Sequence, residues 1–276
     1  MGRRTGHAAT PLRLDPALPV LLRPDGRVQL GWRPGRAVLI DPPAGLTAAA
    51  LAGLLRGLQA GGTLAELRTE AVRRGADPDD LAALFDALTG AGLLGGGTAR
   101  PGYPACVRVH GRGPLAELIT GALGRSGARV QHTVAGHATG GPGLDLVVLA
   151  DTLVADPRVV RELHAAGVPH LPVRVRDGTG LVGPLVLPGT TSCLRCADLH
   201  RTDRDPAWPA LAAQLLGTVG TADRATLLGT AALALREIER VLSGVAPPTL
   251  DTTLEFDVDR HSITARRWSR HPRCDC

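Results

Sequence analysis

Two cysteine pairs place the strongest constraint on how this chain can fold. Ser192-Cys193-Leu-Arg-Cys196 and His271-Pro-Arg-Cys274-Asp-Cys276 lie far apart in sequence, and the second pair ends the chain. Four thiolates in two close pairs suit one tetrahedral structural zinc, held by Cys193, Cys196, Cys274 and Cys276. That requires the last residues to return to the segment around Cys193. The second pair is C-x-C rather than the commoner C-x-x-C, and His271 stands where it could replace one sulfur. A closed site of this kind has no open position for water, so it reads as structural and not catalytic. The fifth cysteine, Cys106, begins an apolar run and reads as a small core residue.

At 276 residues the chain exceeds the usual span of one domain, which predicts two. The cluster Gly95-Gly-Gly-Thr-Ala-Arg-Pro-Gly102 reads as the linker. Hydrophobic residues at 44% and charged ones at 21% exclude intrinsic disorder. No apolar run is long enough to span a membrane and no signal-peptide pattern opens the sequence, so a cytoplasmic protein with no membrane partner is expected. All 31 basic residues are Arg, which excludes a Schiff-base or phosphate-binding lysine. The arginines are scattered among 26 acids and aromatics make up 2%, so no nucleic-acid platform is expected.

Before the linker, β-like runs at 18–23, 27–32 and 37–41 are separated by Pro24-Asp-Gly26 and Pro34-Gly35 turn signals. Three helical patterns follow. The first starts at Thr47, with Leu51, Leu54, Leu55 and Leu58 on one face; the second covers 63–74. The third begins at Asp77-Pro78, with Leu81, Leu84, Phe85 and Leu88 on one stripe. This order predicts a winged-helix-like α+β module. Its third helix carries Asp77, Asp79, Asp80 and Asp86 and no Arg, which opposes approach to DNA phosphates. A groove between the third strand and that helix could instead accept an extended peptide by strand addition, lined by Val38, Ile40, Leu84, Phe85 and Leu88.

After the linker, Val107-Arg-Val-His-Gly111-Arg-Gly113-Pro-Leu-Ala116 reads as a strand, a glycine turn and an amphipathic helix, the first unit of a Rossmann-type sheet. Strands at 129–134, 145–150, 170–176 and 180–187, helices at 156–164 and 221–243, and a hairpin at 252–268 complete an α/β pattern that predicts a mainly parallel sheet. A dinucleotide site needs an acid about 20 residues past the turn. Between Glu117 and Asp145 there is none, so the turn is expected to serve packing, and ATP is not expected as a cofactor. His110 lies beside the turn; the remaining histidines show no metal-like spacing.

The segments Val28-Gln-Leu-Gly-Trp32, Arg36-Ala-Val-Leu-Ile40, the three helices and Ala91-Gly-Leu-Leu94 resemble the PqqD-type RiPP recognition element, a leader-peptide-binding module, over residues 10–95. Residues 103–276 resemble the ThiF-like adenylyltransferase superfamily. The features that carry this are the turn at Gly111 and Gly113, Asp151 after Asp145-Leu-Val-Val-Leu, Pro188-Gly-Thr-Thr-Ser-Cys-Leu-Arg-Cys196 and the closing cysteine pair. The resemblance places Asp151 where active members help hold magnesium, making Gly111, Gly113 and Asp151 a vestigial nucleotide site. The asparagine and lysine of active members are missing, and their Arg-Gln stretch is replaced by His137-Ala-Thr-Gly-Gly-Pro142. Asp151 on its own reads as a helix-capping or loop-entry carboxylate.

Together these resemble the leader-binding partner of YcaO cyclodehydratases in thiazole/oxazole-modified peptide biosynthesis. The resemblance implies a noncatalytic subunit that binds a precursor leader and presents the core to YcaO, which forms azolines at the expense of ATP. It also allows two chains to pair through their sheets. Two other readings compete: an active adenylating enzyme acting on a peptide or carrier-protein C-terminus, and a winged-helix DNA-binding regulator.

Overall fold

The computed structural model describes residues 12–96, 105–134 and 143–276, leaving the side chains of residues 12, 13, 95 and 96 undescribed. The chain divides into two compact units, residues 1–101 and 102–276. The linker motif from Gly97 onward and the 137–142 stretch lie outside the described residues.

In the first unit, β1 (Leu12–Leu14) pairs antiparallel with β5 (Leu94–Gly96). Between them run β2 (Val20–Leu22), β3 (Val28–Leu30) and β4 (Val38–Ile40), an antiparallel meander in the order β2-β3-β4. Three helices follow: α1 (Ala48–Gln59), α2 (Leu64–Arg73) and α3 (Pro78–Gly90). Each starts where a side-chain oxygen satisfies an orphan N–H. Thr47 caps Ala50, Thr63 and Glu66 form a reciprocal capping box, and Asp77 caps Asp79 and Asp80 ahead of Pro78 at the first position. Leu51, Leu55 and Leu58 of α1 meet Val28 and Leu30 of the meander and Phe85 and Leu88 of α3 in one core.

The second unit is built on a seven-stranded sheet in the order β12-β11-β10-β9-β8-β6-β7. Its strands are β6 (Cys106–His110), β7 (Arg129–Thr133), β8 (Leu146–Ala150), β9 (His170–Arg176), β10 (Thr179–Val182), β11 (Thr252–Asp257) and β12 (Ser262–Arg267). The pairs β7-β6, β6-β8 and β8-β9 are parallel, whereas β9-β10, β10-β11 and β11-β12 are antiparallel. The sheet is therefore mixed, not mainly parallel: β9-β10 and β11-β12 are hairpins, and the long helical connection over 183–251 returns the chain so that β11 pairs antiparallel to β10. β10 also ends well before residue 187, because Pro184 has no N–H to give to a ladder. The helices are α4 (Pro114–Leu123), α5 (Pro157–Ala165), α6 (Leu194–Arg204), α7 (Trp208–Leu215) and α8 (Arg224–Leu242). α4 and α8 cover one face of the sheet, and α5 and α6 the other. The sequence patterns did not anticipate α6 and α7. The whole is an α/β chain, a winged-helix-like module followed by a Rossmann-type domain. Among the described residues, no helix is long and apolar enough to cross a membrane.

His170 on β9 gives this fold a pH dependence. It is fully buried, its Nδ1–H donates to the Val168 carbonyl at 3.0 Å, and Nε2 has no partner among the described residues. Burial pushes its pKa down to about 4 from the usual 6.5. The unfolded chain therefore binds a proton first as pH falls. Stability present above the unfolded pKa is lost as pH drops from about 6.5 toward about 4, by on the order of 3 kcal/mol from this group. Urea midpoints across that range should show the slope in the wild type and lose this part of it in His170→Phe. Equal slopes would place the titration elsewhere.

Candidate functional site

Three regions hold the residues singled out by sequence, one in the first unit and two in the second. In the first unit, β4 pairs only with β3 among the described residues, so its outer edge is open. Beside that edge lies a groove of about 420 Å³ between β4, the 41–44 segment and α3. Val38, Ile40, Leu84 and Leu88 line it. Phe85 does not: it is 2% exposed in the core, with the Arg68 guanidinium 5.5 Å from its ring centre. On α3 the core stripe is Leu81, Phe85 and Leu88, whereas the groove stripe is Asp80, Ala83, Leu84, Ala87 and Ala91, turned to the side. The small residues Ala83, Ala87 and Ala91 at four-residue spacing were the available signal for that second stripe. Exposed Leu39 was also missed. Asp41 and Asp80 are the charged groups of the lining, and no arginine joins them.

In the second unit the glycine turn joins β6 to α4. A side chain at Gly111 would sit 2.6 Å from the Ala150 carbonyl, and one at Gly113 would sit 2.7 Å from an Asp151 carboxylate oxygen. Both glycines are thus required by close approach of the turn to the end of β8. Asp151 is buried at left-handed φ (71°), and its two oxygens accept the N–H groups of Leu115 (2.9 Å) and Ala116 (3.1 Å). Pro114 has no N–H, and Glu117 bonds the Gly113 carbonyl. Every first-turn donor of α4 is therefore committed within the protein. A Rossmann fold offers those donors to a phosphate; here a carboxylate of the chain itself takes them. Burial raises the Asp151 pKa against the pull of these two N–H groups.

A cavity of about 580 Å³ remains at this end of the sheet, lined in part by His110, Arg112, Val154, Arg158, Arg161 and Leu216. Arg112 reaches across to the Gly217 carbonyl at 2.9 Å. Where a ribose-binding acid would be expected, His132 Nε2–H donates to the Gly111 carbonyl, and His110 Nδ1 bonds the Thr133 hydroxyl. Burial lowers the His110 pKa, and Arg108 adds to the effect. Asp151→Ala should cost roughly 2–4 kcal/mol, combining two lost bonds to buried N–H groups with an alanine forced to left-handed φ. Urea unfolding checks this; a loss of only a few tenths would show that the cap is dispensable.

The cysteine pairs do come together. Cys193 stands at the N-cap position of α6 and Cys196 lies in its first turn; the C-terminal segment brings Cys274 within 3.6 Å of Cys193, and Cys276 within 3.4 Å of Cys196. The four sulfurs lie within 4.8 Å of one another, and such a group could hold a metal ion. The sulfur separations are too long for disulfides. His271 does not stand in for a sulfur. Its Nδ1 accepts from the Arg273 N–H and its Nε2 donates to Asp203 at 2.7 Å, while its backbone N–H reaches Cys196 Sγ at 3.3 Å. Burial pushes the Cys193 and Cys276 thiols up. Burial opposes the Cys196 thiolate too, yet hydrogen bonds from the His271 N–H, the Cys193 backbone and the Cys276 and Cys274 thiols together outweigh it and the pKa is lowered. A cation among four sulfurs relieves the cost of burying several thiolates. His200, which sequence spacing left unassigned, meets Ser269 and faces His271, so α6 clasps the returning tail. Cys106 is buried, accepting from the Gln131 amide at 3.7 Å.

No protein-family model matches this sequence, and no curated protein does. Solved structures do match. The heterocyclase TruD superposes with a TM-score of 0.65 at 18% identity, over 96% of this chain and 42% of TruD. Escherichia coli MccB with selenomethionine MccA superposes at 0.58 and 13% identity, over 96% of this chain and 98% of MccB. MccB with ATP superposes at 0.54 and 13%, covering 96% and 99%. The likeness is one of fold, of the ThiF-like kind. This chain spans about two fifths of the length of TruD.

Proposed function

We propose that this protein binds the leader of a ribosomally made precursor peptide and presents the core to a YcaO cyclodehydratase for azoline formation, without doing chemistry itself. The observation that carries the reading is the groove between the open edge of β4 and α3. Its first-unit module is read as a PqqD-like recognition element. A peptide strand added there gains main-chain hydrogen bonds along β4, while Val38, Leu84 and Leu88 take up alternate apolar side chains. Two further observations support it. The fold is matched in the heterocyclase TruD, over 96% of this chain. The Leu115 and Ala116 N–H groups at the start of α4, which could hold a nucleotide phosphate, are taken by Asp151. Tethering the leader raises the effective concentration of the core at the partner, with a gain on the order of 10² to 10⁴ in apparent affinity.

The four cysteines are read as a structural zinc centre. A tetrahedron with Zn–S of about 2.3 Å has edges of about 3.8 Å. The distances of 3.4, 3.6 and 3.8 Å between neighbouring sulfurs are close to that value.

Fluorescence anisotropy with a labelled, Cys/Ser/Thr-rich precursor encoded beside the protein tests the peptide reading. Unlabelled leader should displace the probe and leaderless core should not. Displacement by the core alone, or no binding, overturns the reading.

A further inference from the structure

Arg174 on β9 is out of place electrostatically. It alternates with Leu171, Val173 and Val175, which pack toward α4 and α8, so its side chain lies on the face that carries α6. It is only 9% exposed, and among the described residues no protein group hydrogen-bonds or ion-pairs its guanidinium, whose nitrogens keep a little contact with solvent. Burial drives its pKa down to about 10, and Arg201 and Arg176 push in the same direction; Asp198 opposes them. Asp198 is already engaged: one of its oxygens accepts from Arg201 at 2.8 Å and from the Trp208 indole at 3.2 Å.

The surroundings are built and positive. Arg201 is mostly buried and sandwiched, its guanidinium carbon 5.2 Å from the Trp208 ring centre and 4.8 Å from that of Trp268. Burial lowers its pKa, Asp198 works against that, and Arg176 and Arg204 add smaller repulsions. Arg176 is half-exposed, and the ion pair it makes is a long one, 3.9 Å to the solvent-exposed Asp177. Buried charges in folded proteins are paired, because an isolated one forfeits its hydration with nothing in return. A guanidinium also presents a planar fork of donors suited to two oxygens of one group.

We propose that Arg174, flanked by Arg201 and Arg176, forms the floor of a binding site for an oxyanion, a phosphate or carboxylate group. The site belongs to the second unit, and it stands or falls independently of the leader reading.

Thermal unfolding of the full chain tests it, with sodium phosphate and sodium acetate titrated separately against sodium chloride at matched ionic strength. A ligand that binds only the folded state raises Tm with its concentration. Tm should rise with phosphate if the group is a phosphate, and with acetate if it is a carboxylate. Arg174→Met keeps the apolar shaft and removes the charge; it should unfold at a higher temperature than wild type without anion and lose at least about tenfold in anion affinity. Arg176→Gln, on the surface, should fold as wild type and weaken the response. Three results would overturn the proposal: no anion-specific rise in wild type, a wild-type response in Arg174→Met, or an undiminished response in Arg176→Gln.

Discussion

Leu84→Asp should leave the first unit folded and remove its affinity for the leader. Leu84 is half-buried on α3 and lines the groove, outside the fully buried core stripe of Leu81, Phe85 and Leu88. A carboxylate there keeps its hydration in the free protein. It must surrender that hydration when an apolar peptide side chain covers it, which costs about 3 kcal/mol or more, an affinity loss of at least about 100-fold. Phe85→Asp is the contrasting variant. It places a charge in the core, where even truncation of a phenylalanine costs roughly 3–5 kcal/mol, and should unfold the unit. Circular dichroism and anisotropy on both variants separate the roles. If Leu84→Asp binds like wild type while folded, the groove is not the peptide site.

The other large effect is expected at the cysteines. Zinc analysis of purified protein should find about one ion per chain, and Cys196→Ser should bind none. Cys196 joins both halves of the centre: it accepts the His271 N–H and meets Cys276. Losing the ion leaves thiols crowded together and the returning tail held by the part-buried bond of His271 to Asp203 and by the contacts of His200 and Arg195 at the surface. Surface pairs of this kind contribute at most about 1 kcal/mol each. Structural zinc contributes about 10–16 kcal/mol where a small domain depends on it entirely. Here the sheet retains its own core of α4 and α8 side chains, so the loss should fall chiefly on the tail. Limited proteolysis near Trp268–Arg273, fast in Cys196→Ser and slow in wild type, reads it out. A metal-free wild type with a protected tail would reject a zinc centre.

What the sequence revealed, and what it hid, follows the range of each interaction. The caps at Thr47, Thr63 and Asp77 are local hydrogen bonds, so the helix starts could be read to within a residue. The cysteine pairs were legible because their spacing carries the geometry of the ligand set. Non-local choices were not legible. The pairing of β1 with β5 joins three-residue strands at opposite ends of the unit. The cap that Asp151 gives to α4 spans 35 residues, so its carboxylate could be read as a cap but not assigned to a helix. Phe85 and Leu84 adjoin on one apolar stripe, and only the packing of α2 and the meander decides which faces the core. α6 has a weakly apolar face because it docks largely through cysteines and arginines, and α7 buries no residue fully, so neither left a periodic signature.

An open strand edge beside an apolar helix face favours an extended peptide, and a helix start whose N–H groups are taken by Asp151 does not favour a nucleotide phosphate. Reconstituted cyclisation tests this combination most directly, with full-length precursor, a YcaO enzyme, ATP and either wild-type protein or Leu84→Asp. Mass spectrometry counts one lost water per ring formed. Rings should form with wild type, and should fall to the level of a leaderless core with Leu84→Asp. Undiminished ring formation with Leu84→Asp, or with this protein left out, would contradict the account.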